Sequence, residues 1–106
     1  MSQTPESAVL RACCEYLALR RVCFWRANNV PVFDRTRGSF RAMPAFSMKG
    51  VSDIIALKDS RAHFIEVKAA KGVLSPDQKR FDELVSANGA LYHVVRSVDD
   101  LIAAGF

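Results

Sequence analysis

Asp53 follows a glycine turn, Met48-Lys49-Gly50-Val51-Ser52-Asp53, and Glu66-Val67-Lys68 closes a later apolar run. Two carboxylates can hold a hard divalent cation. In an extended strand Glu66 and Lys68 share one face and Val67 takes the other. The lysine can then stand beside a water that the cation activates. That combination is the chemistry of metal-assisted phosphodiester hydrolysis.

The elements around these residues must bring them together. Asp53-Ile54-Ile55-Ala56-Leu57 has the composition of a strand, Lys58-Asp59-Ser60-Arg61 that of a turn, and His63-Phe64-Ile65-Glu66-Val67-Lys68 that of the return strand. A hairpin centred near Ser60 sets Asp53 across from about Glu66 or Val67. Acids among buried apolar residues are costly unless paired, hydrogen-bonded or bound to metal. Two close carboxylates also repel, and a divalent cation relieves that repulsion. Oxygen-only ligands favour Mg²⁺ or Mn²⁺ over zinc. Asp53, Glu66 and the Val67 carbonyl are the candidate metal ligands. Lys68 orients or deprotonates the attacking water, or stabilises charge in the transition state. The plainer alternative is a solvent-facing Glu66–Lys68 ion pair, with Asp53 only starting a strand.

The rest of the chain supplies the frame. Thr4-Pro5-Glu6 reads as a helix start, with Thr4 as cap, and apolar residues at helical spacing carry the helix to about Arg20. Val22 to Arg26 reads as a strand. Residues 28–39 read as a loop or loose hairpin arm, Ser39 to Met43 as a short strand, and Pro44 to Ser52 as a turn region pivoting on Gly50. Ser75-Pro76-Asp77-Gln78 opens a second helix that stops at Asn88-Gly89. Ala90 to Arg96 is a further strand, and Ser97 caps a short last helix. The order α-β-β-β-α-β-α implies an α/β fold, a mixed sheet flanked by helices.

The 106 residues suit one domain spanning 1–106, and half of them are hydrophobic, which argues against disorder. No apolar stretch is long enough to span a membrane, and the N-terminus has no signal pattern. Cys13, Cys14 and Cys23 match no zinc spacing and read as reduced thiols, so a cytoplasmic protein is expected. There is no Walker-type phosphate loop, and neither Ser7 nor Ser52 has a base nearby in sequence. The net charge of +4 is uneven: residues 1–50 carry eight Lys/Arg against three Asp/Glu. Arg20, Arg21, Arg26, Arg35, Arg37, Arg41 and Lys49 make a field suited to nucleic acid, or simply a solvated basic surface.

From Glu6 to about Leu101 the chain resembles the virus-type replication-repair nuclease (VRR-NUC) domain, a branch of the PD-(D/E)xK nuclease superfamily. The resemblance rests on Glu6, Trp25-Arg26-Ala27-Asn28, Gly50-x-Ser52-Asp53, Glu66-Val67-Lys68 and Gln78. Ser52 stands where the superfamily motif has proline, as is usual for this branch. The resemblance implies a restriction-endonuclease-like fold, dependence on Mg²⁺ or Mn²⁺, and cleavage of DNA phosphodiesters. It adds Glu6 to the metal shell and points Gln78 at the site. Each also has a structural reading: Glu6 as a favourable charge in a first helical turn, Gln78 as half of a capping box. Arg26, Asn28, Lys49 and Lys71 become candidate DNA contacts. His63 and His93 lack a partner spacing and read as structural or surface residues. Free-standing domains of this size look like phage or bacterial proteins similar to dimeric junction resolvases. Branched DNA as substrate and a homodimer as assembly follow from that. The rivals are a non-catalytic DNA-binding or assembly module on the same fold, and an RNA nuclease.

Overall fold

The computed structural model describes residues 4–27, 33–40 and 44–106. The first helix, α1 (Glu6–Leu19), leads into β1 (Cys23–Arg26). A two-stranded hairpin, β2 (Phe33–Asp34) and β3 (Ser39–Phe40), comes next. Then follow β4 (Ile54–Lys58), β5 (Arg61–Val67), α2 (Pro76–Ala87), β6 (Leu91–Val95) and α3 (Val98–Ala103). The main sheet runs β1-β4-β5-β6; β1 and β5 flank β4 antiparallel and β6 joins β5 in parallel. This is the expected α/β order and mixed sheet, with β2–β3 standing where the loose arm was predicted. Asn28 and Arg41 lie outside the described residues.

Strand alternation divides the sheet into two faces. Ile54, Ala56, Ile65, Val67 and Val95 point to one side, where Val9, Cys13 and Leu17 of α1 and Leu101 of α3 bury them in the main core. Phe64 and Tyr92 point to the other side and meet Phe81 of α2 edge to face. Glu66 lies two residues after Phe64 along β5 and so shares the α2 face.

Helix ends differ in detail from expectation. Thr4 does not cap α1. Pro5 holds the N-cap position and its carbonyl accepts from Ala8 and Val9 N–H groups, which makes Glu6 the first helical residue. Proline's fixed φ and missing N–H suit that place. Ser97 stands at the N-cap of α3 without a side-chain bond; Asp100 instead accepts from the Arg96 backbone N–H at 2.7 Å. By contrast Ser75 and Gln78 form a full capping box on α2.

Gly50 fixes how the loop before β4 sits on α2. Its φ is +75°, and a Cβ there would stand 2.7 Å from the Gln78 nitrogen and closer still to the Asp77 carbonyl. The loop backbone therefore lies directly on the first turn of α2. Gly89, after α2, has φ +89° with open space around its missing Cβ. Gly50→Ala should cost roughly 2–4 kcal/mol, left-handed strain plus a clash with backbone, while Gly89→Ala should cost only the roughly 1–2 kcal/mol of strain. Urea unfolding of the two variants checks the difference.

Candidate active site

The hairpin register places the two motif acids side by side. Ile54 pairs with Ile65, so the next positions outward are Asp53 and Glu66. Asp53 sits just before β4 rather than inside it, and is held at both ends. Its carbonyl accepts from the Ala27 N–H at 3.0 Å, and its Oδ2 accepts from the Val67 N–H at 2.8 Å. Ser52 beneath it is fully buried and donates to the Ile54 carbonyl at 3.0 Å. One carboxylate oxygen from each of Glu6, Asp53 and Glu66 lies within 4.8 Å of the others. The first turn of α1, the start of β4 and the end of β5 thus deliver three acids to one point.

Glu66 is only 2% exposed. Gln78 Nε2 donates to its Oε1 at 2.9 Å, and Lys68 Nζ lies 3.7 Å from the same oxygen. That Lys68 distance is an ion pair but too long for a hydrogen bond. The other oxygen, Oε2, is buried without a hydrogen-bond partner. Burial, and after it the neighbouring Asp53, push the Glu66 carboxyl up to about 8, against the opposing pull of Lys68. A solvent-facing Glu66–Lys68 pair does not describe this arrangement, since both side chains are largely covered. A buried acid with an unpartnered oxygen beside two more acids has the donor set and the unmet demand that a hard cation satisfies.

Gln78 serves both of its sequence readings at once. Its Oε1 accepts from the Ser75 N–H at 2.8 Å, closing the capping box, while its Nε2 binds Glu66. One orientation of the amide satisfies both partners, because one supplies a proton and the other an acceptor.

The predicted DNA contacts lie on separate parts of the surface. Arg26 is exposed and, with Ser7, Leu10, Arg11, Cys14 and Glu15, lines a cavity of about 350 Å³ on the α1 side. Lys49 lines another of about 320 Å³ against α2, beside Asp77 and Arg80. Lys71 is exposed in the turn after β5. Asn28 falls outside the described residues. Arg20 and Arg21 lie at the far end of α1 from Glu6, about 20 Å away at helical rise.

Two features escaped the sequence reading. The Arg96 guanidinium donates to the carbonyls of Ala69, Ala70 and Gly72, at 2.6, 3.3 and 2.8 Å, and so clasps the turn that carries Lys71. An arginine directly after a buried strand was the available signal. His63 and His93 are partners across the parallel strands: their rings stack and His63 Nδ1 lies 3.0 Å from His93 Nε2. Since His63 Nε2 faces the Lys58 carbonyl at 3.2 Å, it carries the proton there, and His93 donates to His63. Both rings pack edge-on against Phe106. Burial, then His63, lower the His93 pKa. They belong to the core side, as structural histidines.

Comparison with known proteins agrees with this geometry. The family model of the VRR-NUC domain matches residues 4–99. A solved structure described as a VRR_NUC domain superposes with a TM-score of 0.67 at 22% identity, covering 95% of this chain and 97% of the other. A second, described as a VRR_NUC domain protein, gives 0.62 at 17% identity, covering 97% and 86%. No curated protein matches. At these identities the two structures speak for the fold.

The raised Glu66 carboxyl makes a stability prediction. A folded-state pKa above the ordinary 4.5 means that the folded protein binds this proton more tightly than the unfolded chain. That contribution is complete below about 4.5 and disappears as pH rises through about 8. Glu66→Gln, free of that loss, should gain stability relative to metal-free wild type across this window; thermal melts in EDTA at stepped pH test it, and a constant difference contradicts it.

With its hairpin-borne acids, its capping glutamine and a family match across nearly its whole length, this chain belongs to the VRR-NUC family, a family of nuclease domains.

Proposed function

We propose that the chain is a metal-dependent DNA endonuclease, folded as one domain over residues 1–106. The observation that carries this reading is the convergence of the Glu6, Asp53 and Glu66 carboxylates, with Glu66 Oε2 buried and unpartnered, beside Lys68. Glu6, Asp53, Glu66 and the Val67 carbonyl would hold one or two Mg²⁺ or Mn²⁺ ions. When bound, such an ion supplies Lewis acidity toward a phosphoryl oxygen and lowers the pKa of a water.

The chain's own groups do the rest. Lys68 orients or deprotonates the attacking water, or stabilises charge as the bond to phosphorus forms. Gln78 fixes Glu66 through one arm of its amide and orients water or phosphate at the start of α2. Asp53 Oδ2 already takes the Val67 N–H, so its carboxylate is immobile before any substrate arrives. Arg26, Asn28, Lys49 and Lys71 grip the phosphate backbone without reading bases. The proposed substrate is branched DNA, a junction or flap, in phage or bacterial replication or repair within the cytoplasm. Cutting both strands of a symmetric junction needs two sites, which a homodimer provides. No described helix is long and apolar enough to cross a membrane.

The alternative is a DNA-binding or assembly module that retains the fold. Wild type and Lys68→Ala should be compared on labelled duplex, flap and four-way-junction DNA with Mg²⁺, Mn²⁺ or EDTA, and on a matched RNA junction. The expected result is metal-dependent DNA cutting that falls roughly 10²–10⁴-fold in the variant. DNA held equally well in EDTA and never cut would select the binding module.

A further inference from the structure

The β2–β3 hairpin is built unlike the rest of the molecule. Phe33 and Phe40 face each other across the two strands, with ring centroids 5.3 Å apart and planes nearly perpendicular. They remain 52% and 63% exposed, although aromatic side chains dominate protein cores when they can be buried. No other described element packs against the hairpin. A two-stranded hairpin alone is marginal in water, so a second surface is needed to complete it.

The tip is ordered by its own chemistry. Asp34 Oδ1 accepts from the Thr36 N–H at 2.9 Å, and the Asp34 carbonyl accepts from Gly38 at 2.9 Å, where φ is +67°. That turn leaves Arg35 and Arg37 exposed. Two cations at the tip and two open aromatic rings at the base are the pairing that single-stranded nucleic acid recognises: phosphates by charge, bases by their π-faces. A purely apolar partner would leave the arginines unmatched.

The hairpin is also tethered at the candidate site. The chain leaves the sheet at Ala27, whose N–H binds the Asp53 carbonyl, and returns through Gly50 on the first turn of α2. Phe33 lies six peptide steps beyond Ala27, so their Cα atoms are at most about 22 Å apart. That bound keeps the arm within reach of DNA lying at the carboxylates.

We propose that this hairpin is a base-stacking arm: Phe33 and Phe40 cover an unpaired base where strands separate, and Arg35 and Arg37 hold the adjoining phosphates. The inference deepens the DNA reading above by assigning the preference for branched DNA to named residues.

The test is binding in EDTA, where nothing is cut, measured by fluorescence anisotropy on a flap carrying 2-aminopurine at the branch and on a sequence-matched duplex. Wild type should bind the flap more tightly than the duplex and change the 2-aminopurine signal. Phe33→Leu/Phe40→Leu should weaken flap binding about tenfold, leave duplex binding within about twofold, and abolish that signal change. Phe40→Trp, which keeps a stacking face, should retain flap affinity. Arg35→Ala/Arg37→Ala should weaken both DNAs and reduce the slope of log affinity against log salt by about 1.8. Equal loss on flap and duplex in the leucine variant, no loss on either, or no binding by wild type overturns the proposal. A wild type that stacks on the flap but cuts nothing with metal sinks the nuclease reading alone. One that cuts branched DNA regardless of the phenylalanines sinks this inference alone.

Discussion

Everything near the sheet's end depends on keeping one carboxylate, Glu66, inside the protein. An ionised acid removed from water needs compensation, and the fold gives it only half: Gln78 and Lys68 meet Oε1, Oε2 is buried without a hydrogen-bond partner, and the carboxyl is pushed up to about 8 so that it holds its proton at neutral pH. Asp53 stands beside it and raises the cost further. If stability alone were at stake, an apolar residue of similar size would serve this position as well or better. The strain is held because three elements lock the surroundings. Asp53 is fixed by Val67 and Ala27, Gln78 by the capping box, and Gly50 by direct backbone contact with α2.

Gln78 shows how a local motif and a tertiary contact can share one side chain. The capping box alone would fit any surface helix, and it explains why the helix begins where it does. The same hydrogen bond that closes the box also fixes the amide's orientation, and the donor end is left facing Glu66. Helix start and site geometry are therefore not separable here. A residue chosen for one purpose is already placed for the other.

What could be read from the sequence was what local chemistry dictates. The Lys58–Arg61 turn, the period-2 alternation and the Ser75–Gln78 cap each lie within a few residues, so the hairpin, its register to within one residue and the second helix followed directly. The position of Glu6 came only through family resemblance, since nothing local says where the start of α1 lies relative to β5. The His63–His93 bond depends on the parallel register of β5 and β6, set by the crossover through α2. Arg96 grasps carbonyls more than twenty residues earlier in the chain. The Gly50 contact with Asp77 and Gln78 is of the same kind: the glycine was visible as a turn, but not what its missing side chain makes room for. Non-local packing decides these, and single-sequence patterns do not encode it.

Charge poses the remaining constraint on the proposed chemistry. A phosphodiester is an anion, and the acid cluster of Glu6, Asp53 and Glu66 opposes its approach, most strongly once the raised Glu66 carboxyl is ionised. Distant basic residues cannot overcome that: Arg20 and Arg21, about 20 Å away, lie about two and a half Debye lengths off at physiological salt, where their attraction is screened. Partly buried beside the acids are Lys68, only 12% exposed at its side chain and therefore weakly screened, and the positive end of α2 at Gln78. These groups do not balance the acid cluster with Glu66 ionised while also attracting phosphate. In the proposed mechanism the cation is thus needed to seat the scissile phosphate as well as during chemistry, because it turns an anion-repelling cluster into an anion-accepting one, while the outer surface holds DNA without it. The exposed arginines of the outer surface then govern encounter with DNA, and the buried groups govern what happens to one phosphate after it arrives.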